Sequence, residues 1–216
     1  MGQGWLRTWA RRGETAVPDG YSIIADVSET LKSVLEAGFT GIVPSPPITV
    51  HNLRSNPSLP SVTLFLFDTQ QDASSRNRPR VRVPRADGNY DLRKPVLPLQ
   101  LRYLITPWIN DDGTYSYPYT DHVILGRVMQ TLYDRATLSG ADLKGGTLAN
   151  SSQALHLTLF PMSIEDQTRI WNSLQKPYRM SVVYEVRVVN IAPELVQTVG
   201  TVRNRVLDFG DLEEQP

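Results

Sequence analysis

Apolar residues recur at helical spacing in "SIIADVSETLKSVLEAG" (22–38), where Ile23, Ile24, Val27, Leu31, Val34 and Leu35 gather on one face. Ser22 stands at the N-cap position, and Gly38 stands where a C-terminal stop belongs. Burying such a face contributes about 1.5–3 kcal/mol per large side chain. Past the Pro-rich turn "VPSPP", the stretch "ITVHNL" (48–53) predicts a short strand. In "SVTLFLFD" (61–68), Val62, Leu64 and Leu66 share one alternating face, and Phe65 and Phe67 share the other. A strand apolar on both faces is covered on both sides, and is therefore central.

Alternation returns in "PVLPLQLRYLIT" (95–106), with Leu97, Leu99, Leu101, Tyr103 and Ile105 on one face and Gln100 and Arg102 opposite. An aromatic, turn-rich loop, "PWINDDGTYSYPYT", leads to a second helix, "DHVILGRVMQTLYDR", with Ile124, Leu125, Val128 and Leu132 as its core stripe. Leu155, Leu157 and Leu159 mark a strand in "ALHLTLF" (154–160). The next stretch, "SIEDQTRIWNSLQ" (163–175), begins Ser-x-x-Asp, a capping box with Asp replacing the usual Glu, and predicts a third helix. A long strand follows in "RMSVVYEVRVVNI" (179–191), with Val182, Tyr184, Val186 and Val188 on one face. The order of elements, without strict βαβ alternation, predicts an α+β domain over 21–191: a single mixed β-sheet with about three packed helices. Residues 1–20 are read as an N-terminal arm, carrying Trp5 and Trp9 four apart. Residues 192–216 are read as an extended segment with an acidic end.

Composition narrows the chemistry. With no cysteine there are no disulfides, no thiolate catalysis and no cysteine-ligated metal. The formal net charge is zero, so no overall field selects nucleic acid or an anionic membrane. No apolar run approaches the ~18–20 residues that span a bilayer, and no direct membrane insertion is expected. Residues 69–95 lose apolar periodicity and turn basic, with Arg76, Arg78, Arg80, Arg82, Arg85, Arg93 and Lys94; a short hairpin at Asp87-Gly88 is one reading. These bases alternate with prolines rather than aromatics, so nucleic-acid binding is not expected.

The chain has three histidines, and one follows an aspartate directly at Asp121–His122. Adjacent helical residues point ~100° apart, so this pair is poorly placed to act as a catalytic dyad. The alternative is a helix start, with Thr120 or Asp121 as the cap and the carboxylate complementing the dipole. His122 and Arg127 then remain for surface contacts. No metal-ligand spacing, nucleophile elbow or Walker motif is present; "KGGT" (144–147) lacks the strand that precedes a phosphate loop. No catalytic, cofactor-binding or metal residue is assigned, and no cofactor is expected. Trp108, Tyr115, Tyr117 and Tyr119 have the composition of a protein interface, against a plainer reading as packed turn residues.

Four blocks, "IADVSETLKSVLEAG", "LPLQLRYLITPW", "DHVILGRVMQTLYD" and "PYRMSVVYEVRVV", occur in this order, with a capped helix bearing Trp171 before the last. Together they resemble the tail-terminator, or cap, proteins of contractile injection systems, the phage-tail-like particles of the antifeeding-prophage and virulence-cassette type. The resemblance covers about residues 22–190. It implies a tail-terminator-like fold and a structural, non-enzymatic role: a homo-hexameric ring that ends and joins inner tube and sheath, partnered by the tube and sheath proteins. It also implies assembly in the bacterial cytoplasm, leaving open whether the finished particle stays there, is membrane-anchored or is released. A baseplate-side or sheath-adaptor component is the alternative within the same particle. A small α/β enzyme with a site near 108–122 is the alternative outside it.

A ring built head to tail needs two different complementary surfaces. Trp108, Tyr115, Tyr117, Tyr119, His122 and Arg127 are the candidates on one side, and Arg78, Arg80 and Arg82 on the other. The segment 194–209, with Val199, Val202, Arg203 and Arg205, is a candidate strand for addition to a neighbouring subunit.

Overall fold

A computed structural model describes residues 20–41, 45–73, 78–109, 119–149, 151–191, 193 and 196–200. The predicted first helix is α1 (Ile23–Phe39), and its whole apolar stripe except the half-buried Ile24 is closed from solvent. Its ends differ from expectation. Ser22 lies in a 3₁₀ turn with helical dihedrals and caps nothing; its Oγ meets Thr147 Oγ1 at 2.7 Å. Gly38 lies inside the helix, and a Cβ there would overlap the Thr131 side chain of α2 (Thr120–Asp134). Its smallness lets two helices touch, and the left-handed glycine after the helix is Gly41 (φ 75°).

The strands are β1 (Ile48–Val50), β2 (Ser61–Gln71), β3 (Val81–Pro84), β4 (Tyr90–Arg93), β5 (Leu97–Trp108), β6 (Thr137–Ser139), β7 (Ala154–Leu159), β8 (Val182–Ile191) and β9 (Val196–Val199). Six of them form a mixed sheet in the order β1-β2-β5-β8-β7-β6, parallel only between β1 and β2. The fold is α+β. Helices α1 and α2 cover one face, where Val62, Leu64, Leu101, Tyr103, Ile105, Val186 and Val189 meet the helical stripes. Helix α3 (Ile164–Ser173) covers part of the other, with Trp171 fully buried among Leu53, Leu104, Trp108 and Val183, and Phe65 and Phe67 packed alongside. The two-faced reading of β2 therefore holds.

The N-cap half of the box at α3 forms, with Asp166 N donating to Ser163 Oγ at 3.1 Å; the Asp166 carboxylate accepts from the Ser163 hydroxyl at 2.9 Å instead of from its backbone N–H. The cap expected for α2 does not form. Thr120 and Asp121 both lie within the first turn, Tyr119 holds the N-cap position without a side-chain bond, and Asp121 Oδ1 accepts from His122 N. Strand β8 carries a bulge, because Leu99 is opposite Val189 while Leu101 is opposite Val186. The extra residue shifts the alternation, so Val189 takes a core position; the side chain of Val188 lies outside the described residues.

The motif "KGGT" has a structural task. Asp26, buried in the first turn of α1, accepts hydrogen bonds from Thr147 N (2.8 Å) and Leu148 N (2.9 Å). Gly145 (φ 90°) presses against that carboxylate where a Cβ would collide, and Lys144 N donates to Thr30 Oγ1. The loop is thereby pinned to α1.

A second sheet, in the order β3-β4-β9, lies beyond the six-stranded one. Its pairing continues the central ladder. Leu97 is opposite Ile191, and just outward along both strands Arg93 is opposite Val196 and Tyr90 opposite Val199. Strands β4–β5 and β8–β9 thus form one antiparallel ribbon, interrupted between β4 and β5 at 94–96, with β3 added at the outer part. We call this outer sheet the arm and the six-stranded layer with its helices the body.

Candidate functional site

The basic segment 69–95 is largely the arm. The Asp87-Gly88 hairpin forms because Gly88 takes φ 79°, Asn89 N donates to Asp87 Oδ1, and Arg85 N donates to Asn89 O. Arg85 bridges the hairpin, with Nη1 3.0 Å from Asp91 Oδ1 and Nε 3.5 Å from Asp87 Oδ2; its pKa is raised, chiefly by the hydrogen bond to Asp91. Asp87 is held below the usual carboxylate range, chiefly by the hydrogen bond from Asn89 N. Arg80 donates to Gln197 Oε1 across to β9. Arg78 and Arg82 are exposed near and on β3. Val199 is 41% exposed on β9. The segment expected to be free for strand addition therefore pairs in part within its own chain, because β4 offers it an edge. Strands β3 and β9 are the remaining edges of the arm sheet.

The aromatic side divides differently from its sequence. Trp108 belongs to the end of β5, because the strand runs on through Pro107, which sits opposite Val62. It is 5% exposed, lies edge-on to Trp171 (6.0 Å, 64°) and donates from Nε1 to Thr63 Oγ1 at 2.9 Å. It is mostly a core residue, and its ring also meets two cations, Arg179 at 4.5 Å and Lys176 at 5.9 Å from its centroid. Arg127 is likewise turned inward. Its Nε donates to Gly38 O at 2.8 Å and its Nη1 to Gln130 Oε1, which places a cation on the last carbonyls of α1. Tyr119 and His122 remain exposed and stack on each other (5.6 Å, 21°). Asp121 Oδ1 lies 3.9 Å from His122 Nε2, beyond hydrogen-bond range, so the pair forms no dyad. Tyr115, Tyr117, Val202, Arg203, Arg205 and the arm read at residues 1–19 lie outside the described residues.

Sequence reading missed a charge network on the open part of the second sheet face. Buried Glu185 accepts from Arg102 Nε (2.9 Å) and Arg187 Nε (2.5 Å), while Arg102 Nη1 donates to Asp68 Oδ2 (2.8 Å) and its guanidinium lies 4.1 Å over Phe160. Burial pushes the Glu185 carboxyl up, but the hydrogen bonds and charges of Arg187 and Arg102 outweigh it and hold it below its ordinary value. On the helix-covered face, burial pushes the Tyr103 hydroxyl up to about 12; it lies 2.8 Å from Ser28 Oγ. Both are structural groups. Among the described residues no cluster of His, Asp and Glu is placed to hold a metal ion, and no helix is long and apolar enough to cross a membrane.

The sequence profile of the Pvc16 N-terminal domain matches residues 26–205, the body and the arm together. The chain belongs to the Pvc16 N-terminal domain family. Two cryo-EM structures share its fold. One is the sheath/tube terminator of PVC, an extracellular contractile injection system, in its extended state, with TM-score 0.58 and 21% identity over 88% of this chain and 65% of that one. The other is the tube-terminating cap of the anti-feeding prophage, with TM-score 0.57 and 20% identity over 86% of this chain and 61% of that one. The family member described here thus spans under two thirds of the length of those chains. No curated protein matches it in sequence.

Proposed function

We propose that this chain caps a contractile injection particle. At the end distal to the baseplate it stops growth of the inner tube and the sheath and joins the two, acting as a six-membered ring without enzymatic chemistry. The observation that carries this reading is a family profile running through body and arm, joined to a fold shared with a sheath/tube terminator over 88% of the chain. The fold fits such a role physically. A rigid body supplies the ring, and a polar arm with two open strand edges, β3 and β9, supplies contacts to tube or sheath subunits. Arg78, Arg80, Arg82 and Val199 lie on or beside that arm, and Tyr119 and His122 lie on the body, so the two groups suit opposite sides of a head-to-tail contact. Tyr115, Tyr117, Val202, Arg203 and Arg205 belong to the same proposed contacts. Residues 1–20 flank the domain as an N-terminal arm and residues 192–216 as an extended segment, and assembly takes place in the bacterial cytoplasm.

The test is imaging of particles from a strain lacking the gene. Tubes of irregular length and sheaths lost from the tube are expected. Wild-type lengths with retained sheaths would overturn the reading.

A further inference from the structure

The end of the body farthest from the arm carries a pocket of about 200 Å³, walled by Pro57, Leu59, Trp108 and Pro177 and edged by Lys176 and Arg179. That is below the ~300 Å³ where small-molecule sites begin, and suits one or two side chains of a peptide. Its chemistry is specific. The Arg179 guanidinium stacks on the indole of Trp108, and Lys176 Nζ bonds Asn56 Oδ1. Among the described residues neither cation has a carboxylate partner. Leu59, in the pocket wall, is 44% exposed. Two half-buried cations with no carboxylate partner among the described residues, beside an apolar wall, suit an anionic segment that also brings an apolar side chain.

The densest such segment of the chain is residues 208–214, "DFGDLEE", with four carboxylates interleaved with Phe209 and Leu212. We infer that this acidic segment of one copy docks in the Trp108–Lys176–Arg179 pocket of the neighbouring copy. Reach favours the neighbour over the same chain. The arm's strands pack chiefly on one another, and Val199 pairs with Tyr90 at the arm's outer end. Along its strands the ribbon from Tyr90 to Trp108 measures up to about 60 Å at ~3.3 Å per residue, whereas Val199 to Asp211 spans at most about 42 Å fully extended. The contact is head-to-tail, arm end to far end, and closes a ring without using the same patch twice. It rests on the ring reading only for its geometry; the pocket's preference for the segment stands by itself.

Two measurements test it. Sedimentation of the full chain should show self-association weakened at least tenfold by Lys176→Glu with Arg179→Glu, and equally by Asp211→Lys, Glu213→Lys and Glu214→Lys. Combining both sets should restore most of it, and full association in either set alone overturns the inference. In parallel, a dye-labelled peptide of residues 206–216 is titrated onto the full chain carrying Asp211→Asn, Glu213→Gln and Glu214→Gln. Saturable, salt-sensitive binding is expected, weakened at least tenfold by Lys176→Gln with Arg179→Ala, with melting temperature as the folding control. Equal binding to pocket-altered and unaltered chains overturns it. If the wild-type chain does not associate at all while the peptide binds the pocket, the ring reading fails and the pocket assignment stands.

Discussion

The body and the arm are both largely antiparallel β-structure built on the same ribbon, yet they are held by opposite means. In the body, two apolar layers close over the sheet, and the largest side chains, such as Trp171, Tyr103 and Phe39, are removed from water. In the arm, nearly every residue of β3, β4 and β9 keeps substantial contact with solvent, and the cross-strand groups are ion pairs and polar bonds such as Arg85–Asp91 and Arg80–Gln197. A three-stranded sheet with so little buried surface is marginal alone. Its order comes from the ladder it continues. The body therefore supplies the stability, and the arm supplies polar groups and open edges at little folding gain.

The sharpest way to break this contrast is to empty the body. Trp171→Ala should cost about 3–5 kcal/mol, seen as a lower denaturant midpoint at unchanged slope; a loss under 1 kcal/mol would show that α3 is not part of the cooperative unit. Arg102→Ala comes next, at about 2–3 kcal/mol, because it strips buried Glu185 of one donor and takes from Asp68 its cation, leaving Gln70 Nε2 as its donor. Acid supplies a smaller effect at the same place. Glu185 is depressed in the folded state, so its contribution is present above the unfolded carboxylate pKa and is lost as pH falls through the lower folded value. Melting temperature followed downward from pH 5 should drop, and Glu185→Gln should flatten part of that slope. The smallest effect belongs to the arm. Arg85→Ala should leave the melting temperature unmoved while amide exchange quickens between residues 81 and 93, because its ion pairs are solvent-exposed. A large drop in melting temperature there would erase the distinction between the two regions.

Legibility in the sequence follows the same divide. α1, α2, α3 and the two-faced β2 could be read because burial imposes periodicity on the chain. β9 could be read only as extended, since its partner at 90–93 is distant in sequence and neither strand carries an apolar face to mark the pairing. The three-residue β6 offers too little pattern to see. Trp108 reads as a loop residue because it opens an aromatic, turn-rich stretch, but β5 runs on through Pro107 to include it. Gly38 and Arg127 show another limit. A glycine at a helix end and an arginine on a polar face have stock readings, and only the crossing of α1 over α2 reveals that one makes room and the other holds the carbonyls. Of the candidate surface, Tyr119, His122, Arg78, Arg80, Arg82 and Val199 lie exposed as anticipated, whereas the pocket beside Trp108 needed residues from three separate segments to come together.

The succession of β4 and β5, and of β8 and β9, along one paired ribbon has a mechanical meaning. A pull on the arm along its strands enters the body through β5 and β8, the two innermost strands, which are flanked by β2 and β7. The load then falls in shear across both outer ladders at once, so many hydrogen bonds share it and none is peeled singly. An arm that adds little to folding equilibrium is, for the transmission of force, anchored at the centre of the six-stranded sheet.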